Sequence, residues 1–127
     1  MKPAQARRPD TAACDADRSP AVLLDAARSA IAAARLAEAR ELCEDVLRAL
    51  PRDGGAPALA AEALRVAARS HHMEGSAEAA LDCLDAALAV CEASGDEGGA
   101  GHSLNNAGIV HFQLGHLDDA ERLFARA

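Results

Sequence analysis

Five histidines in the second half of the chain are the first candidates for metal chemistry: His71, His72, His102, His111 and His116. Two histidines that bind one metal from a single helix usually stand three or four positions apart. His71 and His72 are adjacent, so their side chains would point about 100° apart around a helix. The spacing favours imidazoles that act as half-buried packing groups. We therefore expect no metal site and no cofactor.

The four cysteines, Cys14, Cys43, Cys83 and Cys91, include no C-x-x-C pair. The last three fall within apolar helical patterns, and disulfide frameworks usually need a higher density of cysteine. Cys83 and Cys91 stand too far apart on one predicted helix to bind a metal together. We predict reduced thiols that are buried or partly buried.

Pairs of carboxylates occur at Asp82 and Asp85 and at Asp118 and Asp119. They fall on helices that are predicted to lie on the outside of the fold, or in the first turns of helices, where acidic side chains complement the helix dipole. The glycine-rich segment 95–101 is acidic and follows a helix, whereas a phosphate-binding loop follows a strand and carries a lysine. We interpret this segment as a flexible connector. No catalytic constellation is present in the sequence, so we predict that the protein is not an enzyme.

The composition favours an all-α fold. Alanine supplies 34 of the 127 residues, and Trp and Tyr are absent. Alanine is the best helix former and lets backbones approach closely, whereas a β-sandwich core needs more large side chains. The net charge of −7 disfavours binding to nucleic acid or an anionic membrane. Since no apolar run resembles a membrane span or a signal peptide, the sequence predicts a soluble cytoplasmic protein.

Start and stop signals predict a tail followed by six helices. Residues 1–18 hold almost no large apolar side chain, which predicts a disordered N-terminal tail. Ser19 followed by Pro20 is a strong helix start, because the hydroxyl accepts an unpaired N–H and proline lacks one. Pro51 and several glycines mark the breaks between helices. The predicted helices cover residues 20–33, 36–50, 57–73, 76–93, 99–114 and 117–127.

A pattern of four small residues occurs three times in the sequence. Within each set, successive members stand 7, 5 and 7 positions apart. The sets are offset by 41 and 40 residues, and Leu23, Leu64 and Leu104 obey the same offsets. Small residues at these places let the two helices of a hairpin cross at short distance. The sets are Ala27, Ala34, Ala39 and Val46; Ala68, Gly75, Ala80 and Ala87; and Gly108, Gly115, Ala120 and Ala127.

The third unit, from Leu104 through Phe124 to Ala127, resembles a tetratricopeptide repeat. The first unit adds the terminal proline of such repeats but has Ala34 in place of the turn glycine. The second has Ala77 where an aromatic residue or leucine is usual. The resemblance covers about residues 20–127. Its spacing is similar to that of the kinesin-light-chain-like and bacterial signalling subgroup, in which an extended inter-repeat loop lengthens the usual unit of about 34 residues.

The resemblance implies an α-α superhelix, or solenoid, of three helical hairpins that occupies residues 19–127. The repeats are expected at about 20–53, 61–94 and 101–127, the last one incomplete. We also expect the large side chains Leu64, Leu84, Phe112 and Phe124 to carry much of the packing. The repeat-packing residues that the resemblance implies are Ala27, Ala39, Ala68, Gly75, Ala80, Gly108, Gly115, Ala120 and Phe124.

The resemblance also implies that the first helix of each hairpin, the A helix, lines a concave face that binds a peptide. Three arginines face one glutamate among the matching positions, which suits an acidic segment, and asparagine amides suit a peptide backbone. The alternative is that these residues are only the solvated face of amphipathic helices. The matching positions are Arg28, Arg65, Arg69, His72, His102, Asn105, Asn106, Ile109, Phe112 and Gln113, together with Leu24, Ile31, Glu62 and Met73.

A chaperone-binding carboxylate clamp, found in some members of this family, is not expected. The places that match the clamp hold Leu24, Arg28, Val66, His102 and Asn106. Two or three polar residues among these five are too few to form such a clamp.

The chain stops at Ala127 without a polar capping element. Leu117, Leu123, Phe124 and Ala127 are expected to form an apolar stripe for continuation of the array or for self-association. Two functions stay open. One is a protein–protein interaction scaffold that binds a peptide or partner segment. The other is an N-terminal sensory or regulatory segment of a larger bacterial signalling or transcription-regulating protein, and an output domain after residue 127 would distinguish the two.

Overall fold

The computed structural model describes residues 19–51 and 56–127. These residues form six α-helices and no strand, which confirms the all-α class. The predicted tail at 1–18 lies outside the described residues. No described helix is long and apolar enough to cross a membrane. The helices are α1 (Pro20–Ala32), α2 (Leu36–Ala49), α3 (Pro57–Met73), α4 (Ala77–Ser94), α5 (Glu97–Gln113) and α6 (Leu117–Arg126).

The helices begin and end at the local signals in the sequence. Ser19 caps α1, because its hydroxyl accepts a hydrogen bond from the Val22 N–H at 3.4 Å, and Pro20 occupies the first turn. Pro57 takes the same place in α3. Every predicted helix boundary lies within two residues of the observed one.

The turns inside the three hairpins share one backbone geometry. The residue after each A helix's C-cap has a left-handed φ, which is +63° at Ala34, +88° at Gly75 and +85° at Gly115. In each turn the next N–H donates to the carbonyl five positions earlier at 2.8 Å. This bond pairs a helix-end carbonyl that would otherwise lack a partner. Gly75 and Gly115 are exposed, so they close turns and do not fill an interface.

The glycine-rich connector predicted at 95–101 is wrong. Helix α5 begins at Glu97, so most of this segment is helical. The Asp96 carboxylate accepts the Gly99 N–H at 2.9 Å and caps the helix, which offsets the low helix propensity of glycine. Gly99 is buried against Cys91, where an added Cβ would lie 2.7 Å from the sulfur. The predicted long loop between the second and third repeats is therefore only a turn at residues 95 and 96.

The six helices form three hairpins, α1–α2, α3–α4 and α5–α6, which stack so that α2 contacts α3 and α4 contacts α5. Ala27, Ala39 and Ala80 are fully buried, and Ala68 and Ala120 are nearly so. Gly108 lies against the Phe124 ring, and an added Cβ there would come 2.6 Å from a ring carbon. Small side chains thus allow the helices of each hairpin to meet at short distance.

The large side chains are distributed differently from the expectation. Leu84 is buried in a cluster with Ala68, Ala107 and Val110, whereas Phe112 is 59% exposed and Phe124 is 40% exposed. Phe112 therefore does not carry packing. Leu123 packs against the Leu84 cluster, so it does not belong to an exposed stripe as expected. Leu117 is 58% exposed.

A polar network connects the first two hairpins. Ser70 is fully buried; its hydroxyl donates to the Leu36 carbonyl at 2.8 Å and accepts from Arg40 Nη1 at 2.9 Å. The same guanidinium nitrogen forms an ion pair with Glu74 at 2.7 Å. Because each buried polar atom of Ser70 is paired, the network fixes the register of α2 against α3 without an unpaired donor or acceptor.

Ala34 is the one alanine that occupies a turn position filled by glycine in the other two hairpins. A side chain at positive φ costs roughly 1–2 kcal/mol, part of which a glycine recovers. Ala34→Gly is expected to raise the free energy of unfolding by up to about 1 kcal/mol. Ala33→Gly, at φ −91°, is the matched control and should lower it. Urea unfolding measures both, and destabilisation by Ala34→Gly would contradict the turn geometry.

Gly98 and Gly99 give a second matched pair, because they are neighbours in the first turn of α5. Gly99→Ala is expected to lower the free energy of unfolding by about 1–3 kcal/mol, since its Cβ would lie 2.5 Å from an oxygen of the capping Asp96 carboxylate and 2.7 Å from the buried Cys91 sulfur. At Gly98 the nearest atom to a Cβ is an Asp96 carboxylate oxygen at 3.8 Å, so Gly98→Ala should be neutral or stabilising. Equal effects of the two substitutions would contradict the close contacts around Gly99.

Candidate functional site

The A helices α1, α3 and α5 lie side by side, since α3 contacts both of the others. Two neighbouring cavities, of about 310 and 270 Å³, lie along them. Both are lined by Arg65, Arg69 and Asn106, so they form one continuous surface, which we call the A-helix groove.

The two ends of the groove differ in chemistry. At one end the groove is lined by Arg28, Glu62 and His102 as well as the three shared residues. At the other end Leu84, Val110 and Ile109 provide an apolar lining. Leu84 and Val110 are buried, so they form a floor, whereas Ile109 is 38% exposed and reaches the surface. The groove therefore offers a charged section beside an apolar section.

Arg28 is already neutralised by its neighbours. Its guanidinium forms an ion pair with Glu62 of α3 and a second with Asp25 at 2.7 Å. The side chains of all three are partly or largely exposed. Such pairs contribute little to stability, but two carboxylates on one arginine leave little positive charge for a ligand.

Arg65 is half-buried and tied to the third hairpin. Its Nη1 lies 3.4 Å from the Gly99 carbonyl oxygen and 3.5 Å from the Ser103 hydroxyl. The Cys91 sulfur lies 3.9 Å away. These acceptors are neutral, so they leave the positive charge of Arg65 uncompensated. The same contacts help hold α3 against α5. Substituting it would change packing as well as charge.

Arg69 is exposed one turn further along α3. Within residues 19–51 and 56–127 it forms no ion pair with a carboxylate. It lines both cavities, so its charge stands at the junction between the charged and apolar sections. Among the three arginines of the groove, Arg69 is the one most available to an incoming anion.

The other predicted positions either line a cavity or are exposed outside these cavities. His72 lines the apolar section and, with Gln113, a third cavity of about 220 Å³ beside it. Asn105 and Phe112 are exposed and line none of these three cavities. Met73 is also exposed.

Two predicted groove residues point into the core instead. Leu24 and Ile31 are buried in the hydrophobic cluster between α1, α2 and α3, so placing them on the binding face was wrong. Both lie on the face of α1 that packs inward. The sequence reasoning also missed the apolar floor at Ala68, Leu84 and Val110. The repeat pattern predicts packing roles for Ala68 and Leu84, and the 3.6-residue period alone does not separate a cavity floor from a core position.

The described cysteines, Cys43, Cys83 and Cys91, are free thiols. Burial raises the pKa of Cys43 from 9.0 to about 11, with smaller contributions from Cys83 and Glu44. Burial and then Asp82 also raise the pKa of Cys83. Since the thiolate is the reactive form, these two sulfurs are poor nucleophiles at neutral pH. Cys14 lies outside the described residues.

The family model for the tetratricopeptide repeat matches residues 59–127, which is more than half of the chain. The chain therefore belongs to the tetratricopeptide repeat family, as its three stacked hairpins also indicate. Domains of this family generally mediate interactions between proteins. Comparisons with curated proteins and with solved structures gave no match. The long-loop subgroup stays a prediction.

The raised pKa of Cys43 predicts slow modification in the folded protein. A pKa of about 11 in place of 9.0 leaves about 100-fold less thiolate at neutral pH. Iodoacetamide labelling followed by mass spectrometry should show slow Cys43 alkylation that accelerates as the pH rises. Unfolding in urea should remove the protection. Equally fast labelling of Cys43 in the folded and unfolded protein would contradict its burial.

Proposed function

We propose that this protein is an interaction scaffold that binds an acidic segment of a partner protein in the A-helix groove. The observation that carries the proposal is the excess of positive charge in the groove. Arg65 and Arg69 line both cavities and form no ion pair with a described carboxylate, whereas Arg28 is paired with Glu62 and Asp25. Two uncompensated positive charges are concentrated there on a chain with a net charge of −7.

The proposed contacts follow from the position of Arg69. A guanidinium binds a carboxylate through two parallel N–H···O bonds, which are stronger than hydrogen bonds between neutral groups. An exposed arginine can adopt this geometry without breaking an existing pair. Asn106 lines the same junction, and its side-chain amide can both donate to and accept from a peptide backbone.

The apolar section supports a more specific form of the ligand. Leu84, Val110 and Ile109 line the cavity beside Arg69, which has a volume of about 270 Å³. An apolar side chain in this cavity would exclude water from the neighbouring ion pair, and the exclusion of water strengthens an ion pair. The preferred segment therefore has a carboxylate next to a large apolar residue.

Fluorescence anisotropy with two labelled peptides tests the proposal. One peptide alternates Glu and Leu, and the other alternates Lys and Leu at the same length. The Glu peptide is expected to bind more tightly, with an affinity that falls as salt rises. Arg69→Glu is expected to weaken its binding about 10- to 100-fold, because it removes a charge-assisted contact and adds repulsion.

The matched control is Arg48→Glu. Arg48 is an exposed arginine on the outer helix α2, and it pairs with Asp45 of the same helix. The substitution changes the net charge by the same amount as Arg69→Glu, but Arg48 does not line the groove. Equal weakening by the two variants would indicate a general charge effect, and equal binding of both peptides would exclude acidic specificity.

A further inference from the structure

The turn between α5 and α6 brings together two histidines, neither of which lines a cavity of the A-helix groove. The His116 N–H donates to the His111 carbonyl at 2.8 Å, and Gly115 makes this closure possible with its φ of +85°. Residues five positions apart across such a turn therefore lie close together. The sequence spacing between them is unlike the three- or four-residue spacing of a metal pair on one helix.

The two imidazoles face each other through the same ring nitrogen. His111 Nδ1 lies 3.2 Å from His116 Nδ1, and the ring centroids are 5.4 Å apart. The Asp119 carboxylate is on the first turn of α6, and the three ligand atoms all lie within 4.8 Å of one another. His111 and Asp119 are half-buried, whereas His116 is exposed.

The separation of the two ring nitrogens agrees with the geometry of a tetrahedral metal ion. Zinc binds imidazole nitrogen at about 2.0–2.1 Å, so two such nitrogens on one tetrahedral ion stand about 3.3 Å apart. The observed separation of 3.2 Å is close to that value. The carboxylate has to move inward by a side-chain rotation. Among the described residues its ion-pair partner is Arg122, whose side chain is 69% exposed and can move with it.

We propose that His111, His116 and Asp119 form a Zn²⁺ site that clamps the turn between α5 and α6. Two imidazoles and one carboxylate suit a borderline-soft ion, whereas Mg²⁺ and Ca²⁺ prefer a set made of oxygen ligands. Solvent at the exposed His116 supplies water for the fourth position. Arg122, which forms an ion pair with Asp119, fixes one carboxylate oxygen and leaves the other for the metal.

The other two hairpins contain the same turn without the ligands. In the second hairpin the equivalent positions hold His71, Ser76 and Ala79, and the Ser76 N–H makes the same 2.8 Å bond to the His71 carbonyl. In the first hairpin they hold Ala30, Arg35 and Glu38. The turn alone therefore does not make a site, and His71 provides a matched control within the chain.

Titration of the full, chelator-treated chain with Zn²⁺ tests the proposal by isothermal calorimetry. One site per chain is expected, and His116→Gln and Asp119→Asn should each weaken it about tenfold or more, since even outer-shell substitutions cost that much. His71→Gln should leave the affinity unchanged. Far-ultraviolet circular dichroism checks that each variant is folded.

Co²⁺ in place of Zn²⁺ separates this site from one that uses thiolates. The expected spectrum has the visible bands of a tetrahedral ion without sulfur-to-metal charge transfer in the near ultraviolet. Zinc affinity that survives both His116→Gln and Asp119→Asn would overturn the proposal. A strong charge-transfer band would also overturn it, because the metal would then be bound by a thiolate. The absence of zinc binding would overturn it as well, and the two imidazoles would then share only a hydrogen bond.

Discussion

The close crossing of the two helices within each hairpin is the constraint on which the rest of this structure depends. Ala27 and Ala39 are fully buried where α1 meets α2, and Gly108 touches the Phe124 ring where α5 meets α6. A larger side chain at these places would separate the helices and change the stacking of the next hairpin. Since small residues recur at equivalent places in all three units, the hairpins stack in a repeated way and bring α1, α3 and α5 together. The groove is a consequence of that stacking.

Most of the fold could be predicted because its determinants are local. Ser19 and Pro20 favour the start of a helix, and Gly75 and Gly115 favour a turn at the end of one, through contacts within a few residues along the chain. The error at 95–101 has one local and one tertiary cause. Asp96 caps the helix through the Gly99 N–H, and the close approach to the Cys91 sulfur leaves no room for a larger side chain at position 99. Glycine content alone reveals neither contact.

The candidate site was predictable in its outline and not in its details. The repeat pattern put the arginines on the A helices, but it did not reveal that Glu62 and Asp25 neutralise Arg28 while Arg69 has no such partner among the described residues. Placing Leu24 and Ile31 on the binding face failed because a rotation of a helix by a fraction of a turn decides between groove and core. The proximity of His111 and His116 did not follow from the spacing of ligands on a single helix, because the two residues lie on opposite sides of a turn.

The groove and the histidine cluster belong to different parts of the third hairpin. Asn106, Ile109 and Val110 of α5 face the groove, whereas His111 lines a cavity with Asp119 and Arg122 of α6. A metal clamp there would hold α6 against α5 without occupying the binding surface. The two proposals are therefore separable, since loss of the metal ligands leaves Arg69 and the apolar floor in place.

The most direct test of the central claim is a map of the binding surface by two-dimensional ¹H–¹⁵N NMR during titration with the Glu-Leu peptide. The largest shift changes are expected at Arg69, His72, Asn106 and Ile109, with small changes on α2 and α6. Changes concentrated on those outer helices, or no saturable change in the groove, would contradict the account.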